Sequence, residues 1–269
     1  MFCNPRIIRS TCVCAQRVRL VKAAASSPVG ERSRRLSQKM NCDATVSERS
    51  VVQLSEGPLA QCVRRCAETL LRGGVVALPT DTLYGVASLV EHADRLYALK
   101  RRHEQKPLAV CVADVSQVGD VAELPRSAAG RRALAALLPG PVTLVLRRAA
   151  ALPVSFNPDT PLVGVRVPQH PFIRAVCREL GRPLALTSAN SSGEPSPVRV
   201  ADFAALLEKI ELTVDGGLLG DDRRGSTVVD LSAEQEEEGG GFAVLRSGCA
   251  LESTLRTLQE CGLSGPSEQ

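Results

Sequence analysis

The 269 residues are 44% apolar and 3% aromatic, without tryptophan, and carry a formal net charge of +4. That charge is unevenly placed: residues 1–40 hold nine Lys or Arg against one acid, Glu31, so this segment carries +8 and residues 41–269 carry −4. A mildly acidic, aromatic-poor body argues against stable nucleic-acid binding, which needs clustered cations to displace counterions and rings on which bases stack, and no run of about 18 uncharged apolar residues offers a membrane span.

Residues 1–30 contain Arg6, Arg9, Arg17, Arg19 and Lys22 among Ser, Thr and Ala, with no acid, which is the composition of a mitochondrial transit peptide. Met1 and Met40 are the only methionines, and Met40 closes the basic segment. Initiation there would give a second form, so the expected locations are mitochondrion and cytoplasm. The expected organisation is a leader over 1–50, one domain over 51–260 and a tail over 261–269.

From Gln61 to Leu71 the apolar residues fall at 62, 63, 66, 67, 70 and 71, a helical stripe stopped by Gly73 and Gly74. Val75–Leu78 then reads as a buried strand, and Thr80, Asp81 and Thr82 follow it, where an α/β sheet opens its ligand crevice. The pattern next predicts a helix over 92–100, a strand over 108–113, a helix over 127–138 ended by Pro139-Gly140-Pro141, and a strand over 142–146. Strands over 162–167 and 184–187 flank a helix over 171–180. A helix over 201–209, strands over 211–214, 227–231 and 242–246, and a short helix from 250 complete the series. Residues 233–241, with Glu234, Glu236, Glu237 and Glu238 before three glycines, read as a solvated connection. Helices and strands alternate without a second boundary in composition, which predicts one three-layer α/β domain.

The ten cysteines include no CxxC pair, and the three histidines, His92, His103 and His170, lack metal-ligand spacing. Cys62 and Cys66 share a helix face without nearby histidine partners, so free thiols and no protein metal site are expected. No GxxxxGK[ST] or GxGxxG occurs, so a phosphate ligand would need another cradle. Lys100 and Arg102 would diverge by about 200° on a continued helix and can serve one ligand only if the helix ends there. Pro107 favours such an ending, and Lys106 adds a third cation. Taken alone, such a cluster is more commonly an exposed basic helix end. In Leu162–Val167 the alternation puts Leu162, Gly164 and Arg166 on one face, where the guanidinium either pairs structurally or grips a carboxylate or phosphate. Ser188 and Asn190 run off a strand end toward one side.

Taken in order, Pro79-Thr80-Asp81-Thr82-Leu83-Tyr84-Gly85, Lys100-Arg101-Arg102, Lys106-Pro107-Leu108, Leu138-Pro139-Gly140-Pro141-Val142-Thr143, Val165-Arg166-Val167-Pro168, Thr187-Ser188-Ala189-Asn190, Gly225 to Asp230 and Leu245-Arg246-Ser247-Gly248 resemble the YrdC family of threonylcarbamoyl-AMP synthases. The resemblance implies a twisted, open mixed sheet flanked by helices, with a concave substrate face. It implies an enzyme that joins ATP, L-threonine and bicarbonate or CO2, with magnesium accompanying ATP, and hands its product transiently to a tRNA threonylcarbamoyl transferase complex, KEOPS-like or a mitochondrial counterpart. By the same resemblance Lys100, Arg102, Ser188 and Asn190 are catalytic and contact the nucleotide, together with Lys106, Ser196 and Arg246. Thr80, Arg166, Ser226 and Thr143 fall at the threonine site. The position of Cys111, often His in microbial relatives, lies near the amino acid there. Loops 191–199 and 216–225, rich in small residues, are the expected lids.

Overall fold

In the computed structural model, which describes residues 50–100, 107–191, 193–235 and 241–265, the predicted stripe forms helix α1 (Leu59–Leu71). Cys62, Val63, Cys66, Ala67 and Leu70 turn inward from it. Burial, then the neighbouring Cys62, pushes the Cys66 thiol up to about 12, so it packs there as a protonated thiol. The described residues belong to one unit, Thr45–Gln269.

Ten strands among the described residues form one sheet: β1 (Ser50–Gln53), β2 (Val76–Pro79), β3 (Tyr84–Leu89), β4 (Ala109–Cys111), β5 (Val142–Arg147), β6 (Leu162–Arg166), β7 (Leu184–Ser188), β8 (Leu212–Asp215), β9 (Thr227–Asp230) and β10 (Ala243–Arg246). Their order is β1-β8-β2-β3-β7-β4-β6-β5-β9-β10. The sheet is mixed, as expected: β8 runs parallel to β1 and β2, β4 to β6 and β5 to β9, and the remaining neighbours are antiparallel. Helices α2 (Asp94–Lys100), α3 (Val118–Val121), α4 (Ala128–Leu137), α5 (Pro171–Leu180), α6 (Ala204–Leu207) and α7 (Leu251–Glu260) complete the α/β domain. No helix of the described residues is long and apolar enough to cross a membrane.

Strand alternation divides the core in two. Val76, Leu78, Ala87, Leu89, Cys111, Leu184 and Leu186 pack beneath α1 and α5. Their neighbours Ala77, Val86, Val110, Val142, Leu144, Val163, Val165, Ala185 and Val229 face the opposite side, where α2, α4 and α7 contribute Leu96, Leu134 and Leu258. Helices α1 and α5 cover their face from β1 to β7 and the Cys111 end of β4. The same face continues over β6, β5 and β9 without them, and there Thr143, Val145, Leu162, Gly164, Arg166 and Val228 line a cleft.

Helix α5 occupies the predicted span, with Pro171 at its first turn, His170 accepting the Phe172 N–H at 3.3 Å, and Gly181 in the left-handed region at φ 61° to end it. Several elements depart from the sequence reading. Strand β3 is absent from it, because Tyr84–Leu89 is buried on both faces and mixes Gly85, Ala87 and Ser88 into the run, which erases any alternation. Edge strand β1 and the short α3 were also not foreseen. The helix expected over 201–209 is a 3-10 turn over Val200–Phe203 followed by α6.

The connection at 233–241 is not simply solvated. Glu234 is 3% exposed, accepts a hydrogen bond from the Ser127 hydroxyl at the N-cap of α4, and takes the Gly241 N–H at 2.7 Å. The core also continues past residue 260, since Cys261 and Leu263 are buried in it.

Candidate active site

The cleft on the uncovered half of the sheet has a volume of about 530 Å³. Nine of the residues singled out from the sequence line it: Thr80, Lys100, Thr143, Arg166, Ser188, Asn190, Ser196, Ser226 and Arg246. Arg102 and Lys106 lie outside the described residues.

Lys100 is the last described residue of α2. Its side chain is 7% exposed and crosses to the end of β7. Nζ donates to the Ser188 carbonyl at 2.7 Å, to the Ser188 and Asn190 side-chain oxygens at 3.3 Å each, and to the Thr187 hydroxyl at 3.4 Å. The Ser188 hydroxyl in turn donates to Asn190 Oδ1 at 2.6 Å, and Asn190 Nδ2 donates to the Glu194 carbonyl at 2.7 Å. The S-x-N pair therefore holds the ammonium from below and ties the loop over 191–199 to it. Ser196 contributes its carbonyl to Arg223, whose other amino group pairs with Asp202 at 3.1 Å. Arg223 thereby links the two loops expected to act as lids.

The other end of the cleft is built on β5, β6 and β9. Thr143 and Ser226 share a hydrogen bond between hydroxyls at 2.8 Å. Arg246 donates to the Ser226 carbonyl at 2.9 Å and to its hydroxyl at 3.0 Å. Burial, then the like charge of Arg166, pulls the Arg246 pKa below its ordinary value, so an anion arriving between the two guanidinium groups is favoured on both counts. Thr80 accepts the N–H groups of Thr82 and Leu83, both at 3.2 Å, and donates to the Leu83 carbonyl at 2.7 Å, which folds the β2–β3 turn on itself.

Of the two readings left open for Arg166, the structure shows the structural pair. Its Nη2 donates to Asp81 at 2.6 Å and to the Thr82 hydroxyl at 3.3 Å, a structural pair. Yet the residue lines the cleft, and its Nε is buried with no hydrogen-bond partner. Asp81, which the sequence places only at the crevice after the first buried strand and without a partner, also accepts the Gln169 N–H at 2.8 Å. Arg224 was missed as a lining residue. Its bonds to Asp222 hold that carboxyl below the usual carboxylate range. Cys111 pairs with Arg166 in the β4–β6 ladder but is fully buried under α5, 3.9 Å from the Cys177 sulfur, and does not line the cleft. Among the described residues no three His, Cys, Asp or Glu side chains gather where they could hold a metal ion.

A mixed sheet with one face half covered, and a cleft on the other half furnished with cations and hydroxyls from seven separated segments, defines an α/β enzyme built to hold an anionic ligand beside a small polar one. The family model for Sua5, YciO and YrdC proteins, described as telomere recombination, matches residues 68–248. A threonylcarbamoyl-AMP synthase of Bos taurus is 45% identical over 77% of this chain and 75% of its own length, and one of Rattus norvegicus is 42% identical over 90% and 84%. Among solved structures, P. abyssi Sua5 complexed with L-threonine superposes with a TM-score of 0.70 at 28% identity, covering 80% of this chain and 62% of that one. E. coli YciO, at 21% identity and a TM-score of 0.64 over 74% of this chain and 94% of its own, shares the fold. The chain belongs to the Sua5/YciO/YrdC family and is an enzyme of it.

Proposed function

We propose that this chain is a threonylcarbamoyl-AMP synthase that joins L-threonine, bicarbonate or CO2, and ATP into threonylcarbamoyladenylate with release of pyrophosphate. The observation that carries the reading is the meeting of Lys100, Ser188 and Asn190 with Thr143, Arg166, Ser226 and Arg246 in one cleft. The names of the mammalian relatives support the reaction, and the threonine complex of P. abyssi Sua5 supports the amino-acid substrate.

Threonine's amine captures CO2 as a carbamate, and a carbamate oxygen attacks the α-phosphorus of ATP as pyrophosphate leaves. No covalent protein nucleophile is needed. The contributions asked of this chain are positioning and charge neutralisation. Lys100 takes the triphosphate, since its ammonium is already oriented by four neutral oxygens and can exchange some of them for phosphate oxygens in charge-assisted bonds worth about 1.5–3 kcal/mol each. Arg102 and Lys106 extend that cradle, and Ser196 and Arg246 add contacts to the nucleotide.

Arg166 takes the threonine carboxylate while Asp81 holds it in place. Thr80, Thr143 and Ser226 surround the amino acid. A magnesium ion arriving with ATP would be held mainly through phosphate oxygens, with the Ser188 hydroxyl and the Asn190 amide oxygen as hard protein donors available once Lys100 exchanges them for phosphate. When bound it neutralises phosphate charge. Because the carbamate hydrolyses readily, the loops over 191–199 and 216–225, joined through Arg223, exclude water during turnover.

The adenylate would then pass to a separate transferase complex that modifies the adenosine beside the tRNA anticodon. A mitochondrial form from Met1 and a cytosolic form from Met40 complete the reading. It fails on that point if tagged wild type and Met40→Leu protein are both confined to mitochondria. The decisive experiment for the reaction is L-threonine-dependent pyrophosphate release from ATP with bicarbonate and no RNA. Absence of release under those conditions overturns the assignment.

A further inference from the structure

We propose that Asn157 is a positioning residue for Lys100, bracing the end of α2 against the start of β4. The side chain is 2% exposed, outside the cleft lining, and its three hydrogen bonds all go to these two elements. Oδ1 accepts the Tyr97 hydroxyl at 2.7 Å and the Leu108 N–H at 2.9 Å, while Nδ2 donates to the Leu108 carbonyl at 2.9 Å. The amide thus reads the Leu108 peptide on both sides, as a neighbouring strand would, and uses the second lone pair of Oδ1 to hold Tyr97. Tyr97 lies three residues before Lys100, one turn back on the same helix face. Fixing its ring fixes the last turn from which Lys100 reaches β7.

The brace is itself anchored. Asn157 sits at φ 47°, a left-handed conformation that Asn adopts more readily than most residues. Its loop is held by Arg148, which donates to the carbonyls of Pro153 at 2.6 Å, Phe156 at 2.7 Å, and Leu152 and Asn157 at 3.3 Å each. A guanidinium spent on four carbonyls, carrying an amide spent on two other elements, is more fixation than a surface loop needs to stay folded. What this apparatus determines is the height of α2 above the β7 terminus, and so whether Lys100 Nζ falls within reach of the Ser188 and Asn190 oxygens.

The inference rests on the reading that Lys100 holds the nucleotide. Asn157→Gly removes all three bonds while keeping a residue that tolerates positive φ. Tyr97→Phe removes one bond and leaves the Leu108 pairing, so it stays folded even where the glycine variant loses stability. With the full chain, pyrophosphate release is followed against ATP and against threonine separately. Asn157→Gly is expected to raise the KM for ATP about tenfold, Tyr97→Phe about threefold by the same scale, with the KM for threonine unchanged. Partial unfolding alone would scale kcat and leave both KM values in place, and that result in both variants overturns the brace. Lys100→Ala run alongside separates the causes: unchanged kcat and unchanged ATP KM there overturn the nucleotide reading and the brace together, whereas a loss in kcat/KM for ATP there with unmoved Asn157→Gly and Tyr97→Phe overturns the brace alone.

Discussion

Arg166 and Asp81 form an ion pair at 2.6 Å in which the side chains are only 10% and 7% exposed, so the cleft has a guanidinium locked in place before any ligand arrives. A pre-oriented cation costs a ligand little ordering, but it makes each partner dependent on the other. Removing one member of a buried pair leaves an uncompensated charge, at about 3–5 kcal/mol. Asp81→Ala is therefore expected to lower unfolding stability by about 3 kcal/mol and to raise the KM for threonine, because Arg166 loses its anchor. Chemical denaturation and threonine titration of pyrophosphate release measure the two effects. Unchanged threonine dependence in both Asp81→Ala and Arg166→Ala would remove the pair from the amino-acid site.

Lys100→Ala is expected to reduce turnover at least ~100-fold, which corresponds to about 3 kcal/mol of transition-state stabilisation. The size follows from its burial: no solvent cation can replace an ammonium that reaches the cleft through the core and is fixed by Ser188 and Asn190. Ser188→Ala should fall less, since the Ser188 carbonyl still accepts from Nζ. Single-turnover pyrophosphate release distinguishes the two. Near-wild-type rates in Lys100→Ala would dismiss the phosphate cradle.

Much of this site was legible because its residues stand at strand and helix ends, where the breakers Pro107 and Gly193 mark the turn and alternation fixes the face. Arg166 is such a case: alternation alone separates Val163 and Val165 from Arg166, and the structure buries those valines in the core on the side away from the cleft. What the sequence could not yield is long-range pairing. Asp81 and Arg166 are 85 residues apart, and nothing local distinguishes Asp81 from an ordinary turn aspartate. Glu234 was hidden in a glutamate run, although it alone of the described part of that run turns inward to Ser127. Strand β3 was hidden for the opposite reason, since burial on both faces removes the polar residues that would have revealed its period.

His170 gives the fold a pH dependence of definite sign. Its Nδ1 accepts the Phe172 N–H, so it caps α5 only when that nitrogen is unprotonated. Burial lowers its pKa from 6.5, and the Asp81 charge opposes the shift without reversing it. As pH falls below the ordinary value the unfolded chain takes up the proton first, so this contribution to stability is complete above about 6.5 and is lost toward the lowered folded value. His170→Asn keeps a capping oxygen and does not titrate. The gap in denaturation midpoint between wild type and variant should therefore change between about pH 7.5 and about pH 5.5, in favour of the variant at the lower pH. A constant gap would show that the imidazole carries no such load.

Gly164 offers a test in which stability and activity part company. A Cβ there would come within 3.0 Å of Thr143 Cγ2, the methyl whose hydroxyl partner bonds Ser226. Valine suits a strand better than glycine, whose backbone entropy weakens strand interiors by roughly 0.5–1 kcal/mol. Its methyls would nevertheless occupy the cleft beside Arg166 and press on the Thr143–Ser226 pair. Gly164→Val is expected to unfold near the wild-type denaturant concentration, the strand gain offsetting part of the close contact with Thr143, while kcat/KM for threonine falls about tenfold or more, a loss of about 1.4 kcal/mol or more. A variant that loses stability and activity in proportion would mean that glycine is required by the ladder. A variant that keeps full activity would mean that the substrate does not approach this part of β6, and the amino-acid site would have to move toward Thr80 and the turn after β2.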